Sequence, residues 1–133
     1  MAMAEHPGVT RAREYLATYA ARDMDSLRDY FTDDVVWHVA GKHPLSGDYR
    51  GKDSLLDYFR RVDERTDGTI TMEVEAILAS DRHIAMFMHV HGEREGKRLD
   101  ERMAEMFDVA PDGRWSAFWA MADDQAAVDA FWA

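Results

Sequence analysis

The sequence predicts an α+β fold, on three observations. Apolar residues recur at helical spacing near the N-terminus. From residue 69 onward they alternate with polar residues at period two. The alternating runs are joined by tight turns, and tight turns require antiparallel neighbours. Helices followed by a meander therefore pack on one antiparallel sheet. A sheet covered on a single face curls around its helices. The expected shape is a cone-shaped curved antiparallel sheet wrapped around N-terminal helices, with an apolar interior suited to a small molecule.

The elements follow in order. Residues 1–8 are expected to fray, with Pro7 placed to open a helix at its first turn. Val9, Ala12, Leu16, Tyr19 and Ala20 form the helical stripe, with Tyr15 at its edge. Arg22-Asp23 ends this helix, and Asp23 caps a short second one that buries Met24, Leu27, Tyr30 and Phe31. Asp33-Asp34 reads as a pair of helix-end acids, and 35–39 as a short β-branched and aromatic strand. Residues 40–51 hold three Gly and one Pro and read as an ordered flap. Asp53 or Ser54 starts a third helix with Leu55, Leu56, Phe59 and Val62 inward, and Thr66-Asp67-Gly68 stops it.

Four strands make the meander. Ile70, Met72, Val74, Ala76 and Leu78 share one face of the first, and Ile84, Met86, Met88 and Val90 one face of the second. Met103, Glu105, Phe107 and Val109 share a face of the third, and Trp115, Ala117, Trp119 and Met121 a face of the last. Asp123 or Asp124 caps a terminal helix that ends in Phe131-Trp132.

Length and charge narrow the function. The 133 residues suit a single domain spanning 1–133. Acidic residues number 26 against 16 basic ones, a net charge of −10, which argues against nucleic acid and anionic membranes as partners. Cysteine is absent, which excludes disulfides, thiol catalysis and thiolate metal sites. The N-terminal stretch lacks the pattern of a signal peptide, and no run is long and apolar enough to span a bilayer, so a cytoplasmic protein is expected. There is no Gly-rich phosphate loop, nucleophile elbow or dinucleotide fingerprint, and no cofactor is expected.

The whole-chain order resembles the nuclear transport factor 2-like superfamily, with its cystatin-like fold, steroid delta-isomerases and SnoaL-like cyclases. The residues that carry the resemblance are Tyr15-Leu16-Ala17, Asp23-Met24-Asp25-Ser26-Leu27, Phe31-Thr32-Asp33-Asp34, Trp37-His38 and Gly47-Asp48-Tyr49-Arg50-Gly51. Phe107, Asp112-Gly113, Trp119, Asp124-Gln125 and Phe131-Trp132 complete it. In the steroid isomerases a Tyr on the first helix and a protonated acid on a late strand form an oxyanion hole. The resemblance puts Tyr15 and Glu105 in those places. It puts Val39 where the isomerase general base stands. Phe118, Ala120 and the nearby Ala117 take the places around the last-strand Trp where SnoaL-like cyclases often carry an acid. Both usual bases are therefore absent.

Four residues are candidates for chemistry. Tyr15 and Glu105 could polarise a carbonyl oxygen, and the alternative role for Glu105 is a structural bond to a Tyr or Arg. His38 adjoins the vacated base position, but alternation turns it away from the pocket if Val39 faces in. His43 lies in the flap, where it would reach the pocket's mouth. Tyr19, Trp37, Val39, Phe59, Met86, Met88, Met103, Phe107, Trp115 and Trp119 are the candidate pocket lining. His89, His91 and Glu93 share one face of a strand, yet span roughly 13 Å at ~3.3 Å per residue, so all three cannot reach one ion. No metal is expected there. Phe87, His89, Ala104, Met106 and Phe118 would instead gather on the outer face as a homodimer contact.

Two functions remain open at this point. One is a metal-independent isomerase, cyclase or dehydratase that moves a proton on a small hydrophobic carbonyl compound, with Tyr15 and Glu105 polarising and His38 or His43 moving the proton. The other is a non-catalytic ligand-binding or dimeric assembly protein on the same cone.

Overall fold

Helix α1 (Pro7–Ala20) opens a computed structural model that describes residues 5–133. Residues 1–4, part of the stretch expected to fray, lie outside the described residues; Pro7 and Gly8 are helical. The His6 side chain caps this helix by accepting the Gly8 N–H at 3.0 Å. Its buried face is Ala12, Tyr15 and Tyr19, so Tyr15 is central rather than peripheral, and Ala20 is exposed. Arg22 ends the turn in a left-handed conformation, φ 57°.

Helix α2 (Met24–Leu27) is a single turn capped by Asp23 and followed by a 3-10 turn over Arg28–Tyr30. Strand β1 (Phe31–Val39) then starts four residues before the expected strand. Asp33 and Asp34 are therefore exposed strand residues, not helix-end acids, and Lys52 lies 3.3 Å from Asp33. A register shift between Phe31 and Val36 accommodates them. Within the flap, Gly47–Arg50 forms β2, paired antiparallel with β1. Helix α3 (Lys52–Arg65) buries Leu55, Leu56, Phe59 and Val62.

The meander is β3 (Thr71–Ala79), β4 (His83–Arg94), β5 (Lys97–Val109) and β6 (Trp115–Ala122), closed by α4 (Gln125–Trp132). The sheet order is β2-β1-β6-β5-β4-β3. Every pair is antiparallel except β1 with β6, which is parallel, so the sheet is mixed. It is open and curled, with the helices on its concave side.

Two bulges overturn the expected faces. A shift between Val74 and Ala76 turns Ile77 and Ala79 inward and leaves Leu78 63% exposed. Another, between Asp108 and Val109, flips the rest of β6. Trp115 stays buried, but Phe118, Ala120 and Ala122 face the interior while Trp119 and Met121 face out. A one-residue slip moves every following side chain to the other face. Phe118 accordingly leaves the expected outer patch, and its ring stacks on Trp37 at 3.6 Å.

Candidate functional site

The concave face encloses a cavity of about 130 Å³. Its floor and walls come from α1 (Tyr15, Tyr19), β1 (Trp37, Val39), α3 (Tyr58, Phe59) and β5 (Met103, Glu105). Helix α4 covers the opening with Gln125, Val128 and Trp132. That helix is held at both ends. The buried Glu101 accepts the N–H of Asp124, and Asp124 caps the helix by accepting from Ala127. Arg94 and Lys97 donate to the carbonyls of Ala130, Phe131 and Ala133, where the helix dipole favours cations.

Glu105 stands inside this apolar space. Its strand neighbours in register are Met86, fully buried, and Ala120, itself on the cavity wall. Glu105 is half-buried and lines the cavity. Burial alone pushes its carboxyl from 4.5 up to about 7, and no charged or hydrogen-bonding neighbour opposes that shift. Around it stand three tyrosines whose own ionisation is suppressed first by burial; the Glu105 charge adds next for Tyr15, after Tyr19 for Tyr58, and last for Tyr19, behind Arg22 and Asp63. Tyr15 is raised well above its ordinary value and Tyr58 is raised too, with the Trp37 indole N–H pulling Tyr58 the other way. Tyr19 rises to about 12, where burial outweighs the attraction of Arg22. All three therefore hold their protons and can donate hydrogen bonds. Tyr15 is fixed by edge contacts to Trp115 at 5.0 Å, Tyr30 at 5.6 Å and Phe107 at 5.9 Å.

The two histidine candidates separate. His38 borders the cavity wall, but its ring stacks on the exposed Trp119 at 5.0 Å and its Nδ1 lies 2.7 Å from the Asp48 carboxylate. It is engaged on the outer face. Val39 faces in, as alternation from Trp37 requires. His43 does reach the cavity. Its Nδ1 accepts the Leu45 N–H at 3.2 Å, and its ring lies 6.3 Å from Trp132. Burial lowers its basicity, against the raising effects of Asp129 and the Ala40 carbonyl. Where the flap approaches α4, residue 41 is glycine, in a backbone conformation that other residues rarely adopt. It has φ +93°, and a Cβ there would lie 2.1 Å from the Asp129 carboxylate.

Of the expected lining, Tyr19, Trp37, Val39, Phe59 and Met103 border the cavity. Met86, Met88, Phe107 and Trp115 do not; they are 0–1% exposed and pack the closed end and the wall behind it. Trp119 is 43% exposed on the outer face, because of the β6 bulge. Tyr58 was missed by the inward stripe of α3, although it lies three residues from Leu55 and four from Val62, within one helical face. Gln125, which donates to Asp129 at 3.0 Å, carried part of the family resemblance but no signal that it lines the cavity.

Comparison with known proteins places this geometry. Residues 12–118 match the SnoaL-like domain. The chain belongs to the SnoaL-like family. An uncharacterized protein of Mycobacterium tuberculosis (strain ATCC 25618 / H37Rv) is 33% identical over 98% of this chain and 100% of its own length. Among solved structures, Bal32a from a soil-derived mobile gene cassette superposes with TM-score 0.90 at 28% identity, covering 95% of this chain and 96% of that one. TerC, co-crystallized with polyporic acid, superposes with TM-score 0.81 at 15% identity over 95% and 98% of the two chains. Solved neighbours also include proteins described as having a cystatin-like or NTF2-like fold. The SnoaL-like scaffold carries cyclases as well as ligand-binding proteins, so the site and not the fold must supply the function.

No helix among the described residues is long and apolar enough to cross a membrane.

Proposed function

We propose that this SnoaL-like protein binds a small hydrophobic carbonyl compound in the cone and moves a proton on it, with Glu105 as the acid–base group. The observation that carries this reading is Glu105 itself. A carboxyl without an ionic or hydrogen-bonding partner in an apolar cavity destabilises the fold, and its value of about 7 suits proton transfer near neutral pH. A carbonyl oxygen between Tyr15 and Tyr58 would receive hydrogen bonds where charge develops. Glu105 would take the proton from the adjacent carbon and return it. His43 would contact the ligand from the mouth. Val39 and Ala120, the positions where the resemblance would place a general base, are both on the cavity wall and offer none.

Cavity size sets the substrate class. About 130 Å³ is close to the ~150 Å³ of an engineered cavity that holds benzene. A one-ring ketone or enone fits; a four-ring steroid requires α4 to move.

The test is deuterium exchange at the α-carbon of cyclohexenones and substituted cyclohexanones in D2O, followed by NMR. Exchange should rise with pH through an apparent value of about 7, and Glu105→Gln should reduce it at least 100-fold, the lower range for general-base catalysis. Saturable binding without exchange would favour the second reading, a binding module, which the two vacated base positions also support. Neither binding nor exchange would end both.

The functional unit in this reading is a homodimer. Phe87, Met106, Trp119 and Met121 are 43–71% exposed on the outer face of the sheet and form its apolar patch.

A further inference from the structure

On that outer face, toward the other end of β4, lies a cluster that the cavity does not involve. His89 and His91 occupy alternate positions of β4 with their rings 4.2 Å apart. Asp100 sits directly across from His91 on β5, and Glu73 directly across from His89 on β3. His89 Nε2 is hydrogen-bonded to the Asp100 carboxylate, and His91 Nδ1 lies 3.7 Å from the same oxygen.

We propose that His89, His91 and Asp100 form a binding site for a first-row divalent cation such as zinc. One strand alone cannot surround an ion, but here the neighbouring strand supplies the third ligand. One donor atom from each residue falls within 4.8 Å of the others. Zinc bonds of about 2.0–2.2 Å draw ligand atoms to within roughly 3.5 Å of each other, so these side chains close on an ion by turning about their own bonds. Glu73 is the independent sign. Its carboxylate lies 3.7 Å from His91 Nε2, the nitrogen that faces away from Asp100. A metal-bound imidazole characteristically gives its other N–H to such a carboxylate, which fixes the tautomer and aims the free lone pair at the metal. Arg102, across from His89, would oppose a cation, but Glu75 holds it at 3.3 Å.

The ligand chemistry chooses the ion. Two imidazoles and one carboxylate suit zinc, cobalt, nickel or copper, whereas calcium and magnesium need more oxygens. The Asp100 side chain is 51% exposed, so water can complete the coordination.

The experiment is calorimetric titration of the full chain, free of any histidine tag, with zinc chloride, alongside NMR mapping of the shifted amides. One zinc per chain is expected, with shifts centred on residues 73, 89, 91 and 100. His89→Ala, His91→Ala and Asp100→Asn should each weaken binding at least 10-fold. Glu73→Gln should weaken it about 10-fold, because it removes the carboxylate charge 3.7 Å from His91 Nε2. His83→Ala, which removes an imidazole beside Asp108, should leave binding unchanged. Absence of saturable binding by the wild-type chain overturns the proposal. So do shifts centred on the His38–Asp48 or His6–Asp81 pairs, or variants that bind as tightly as the wild type.

Discussion

Glu105 is the residue whose chemistry and stability effects can be separated. In an unfolded chain its carboxyl titrates near 4.5; in the fold it titrates near 7. Between those values the unfolded chain has released the proton and the folded chain retains it. Folding therefore weakens as pH rises through this window, by up to about 3 kcal/mol, and the penalty is complete above pH 7. Glu105→Gln removes it. Urea unfolding should show the variant at least 1 kcal/mol more stable than wild type at pH 8 and no more stable at pH 4. Equal stabilities at pH 8 would refute the buried, unpartnered carboxyl. Tyr15→Phe makes the complementary case. The hydroxyl has no hydrogen-bonding partner among the described residues, while the ring packs against four aromatics. Stability should change by less than about 1 kcal/mol, and carbonyl binding should weaken.

At the scale of elements, one side chain ties three segments together. Arg22 donates to Asp63 on α3 at 2.8 Å, to the Tyr19 carbonyl ending α1 at 3.1 Å, and to the Gly68 and Ile70 carbonyls before β3. Arg22→Ala leaves a partly buried carboxylate and the Gly68 and Ile70 carbonyls without their side-chain donor, while the Tyr19 carbonyl keeps the backbone N–H of residue 22. Chemical denaturation should show a loss of about 2–3 kcal/mol. Helix α4 is the covering element, and its anchors are polar. Arg94→Ala with Lys97→Ala should speed amide exchange across 125–132 and the release of any bound ligand, with a smaller effect on global unfolding. Unchanged exchange there would show that Val128, Phe131 and Trp132 hold the helix without the cations. The elements were also where sequence periodicity reached furthest. The two 14-residue helices and the four meander strands were legible from their periods, and the short terminal helix from its capping acid. The two bulges were not, because a bulge follows from how neighbouring strands must bend and leaves no alternation of its own.

For the whole molecule, the proposed dimer rests on the outer face of the sheet. Phe87, Met106, Trp119 and Met121 project from adjoining strands, and burying them between two copies would remove apolar surface from water. Trp119→Glu should convert a dimer to a monomer in sedimentation velocity at micromolar concentration. A wild-type monomer under those conditions would refute the dimer. The substitution also removes the ring on which His38 stacks, so the cavity-facing Val39 and Trp37 provide the control: ligand binding should persist in a folded monomer.

The α+β class, the order of the helices and of every strand but β2, the acidic composition and the absence of cysteine were all legible in the sequence, and the family's linear order singled out Tyr15 and Glu105. Each depends on composition, local period or a family's linear order of residues. Tertiary structure alone decided that Trp119 and Phe118 exchange faces, that His43 meets the cavity from the flap while the His38 ring, at its border, is engaged by Trp119 and Asp48 on the outer face, and that Tyr58 joins Tyr15 on the cavity wall with the acid. It also brought Asp100 across to His89 and His91, where the spacing along one strand had argued against an ion. The physical reason is common to all of these. Which side chains meet depends on register and curvature, and those are set by packing between segments far apart in the chain.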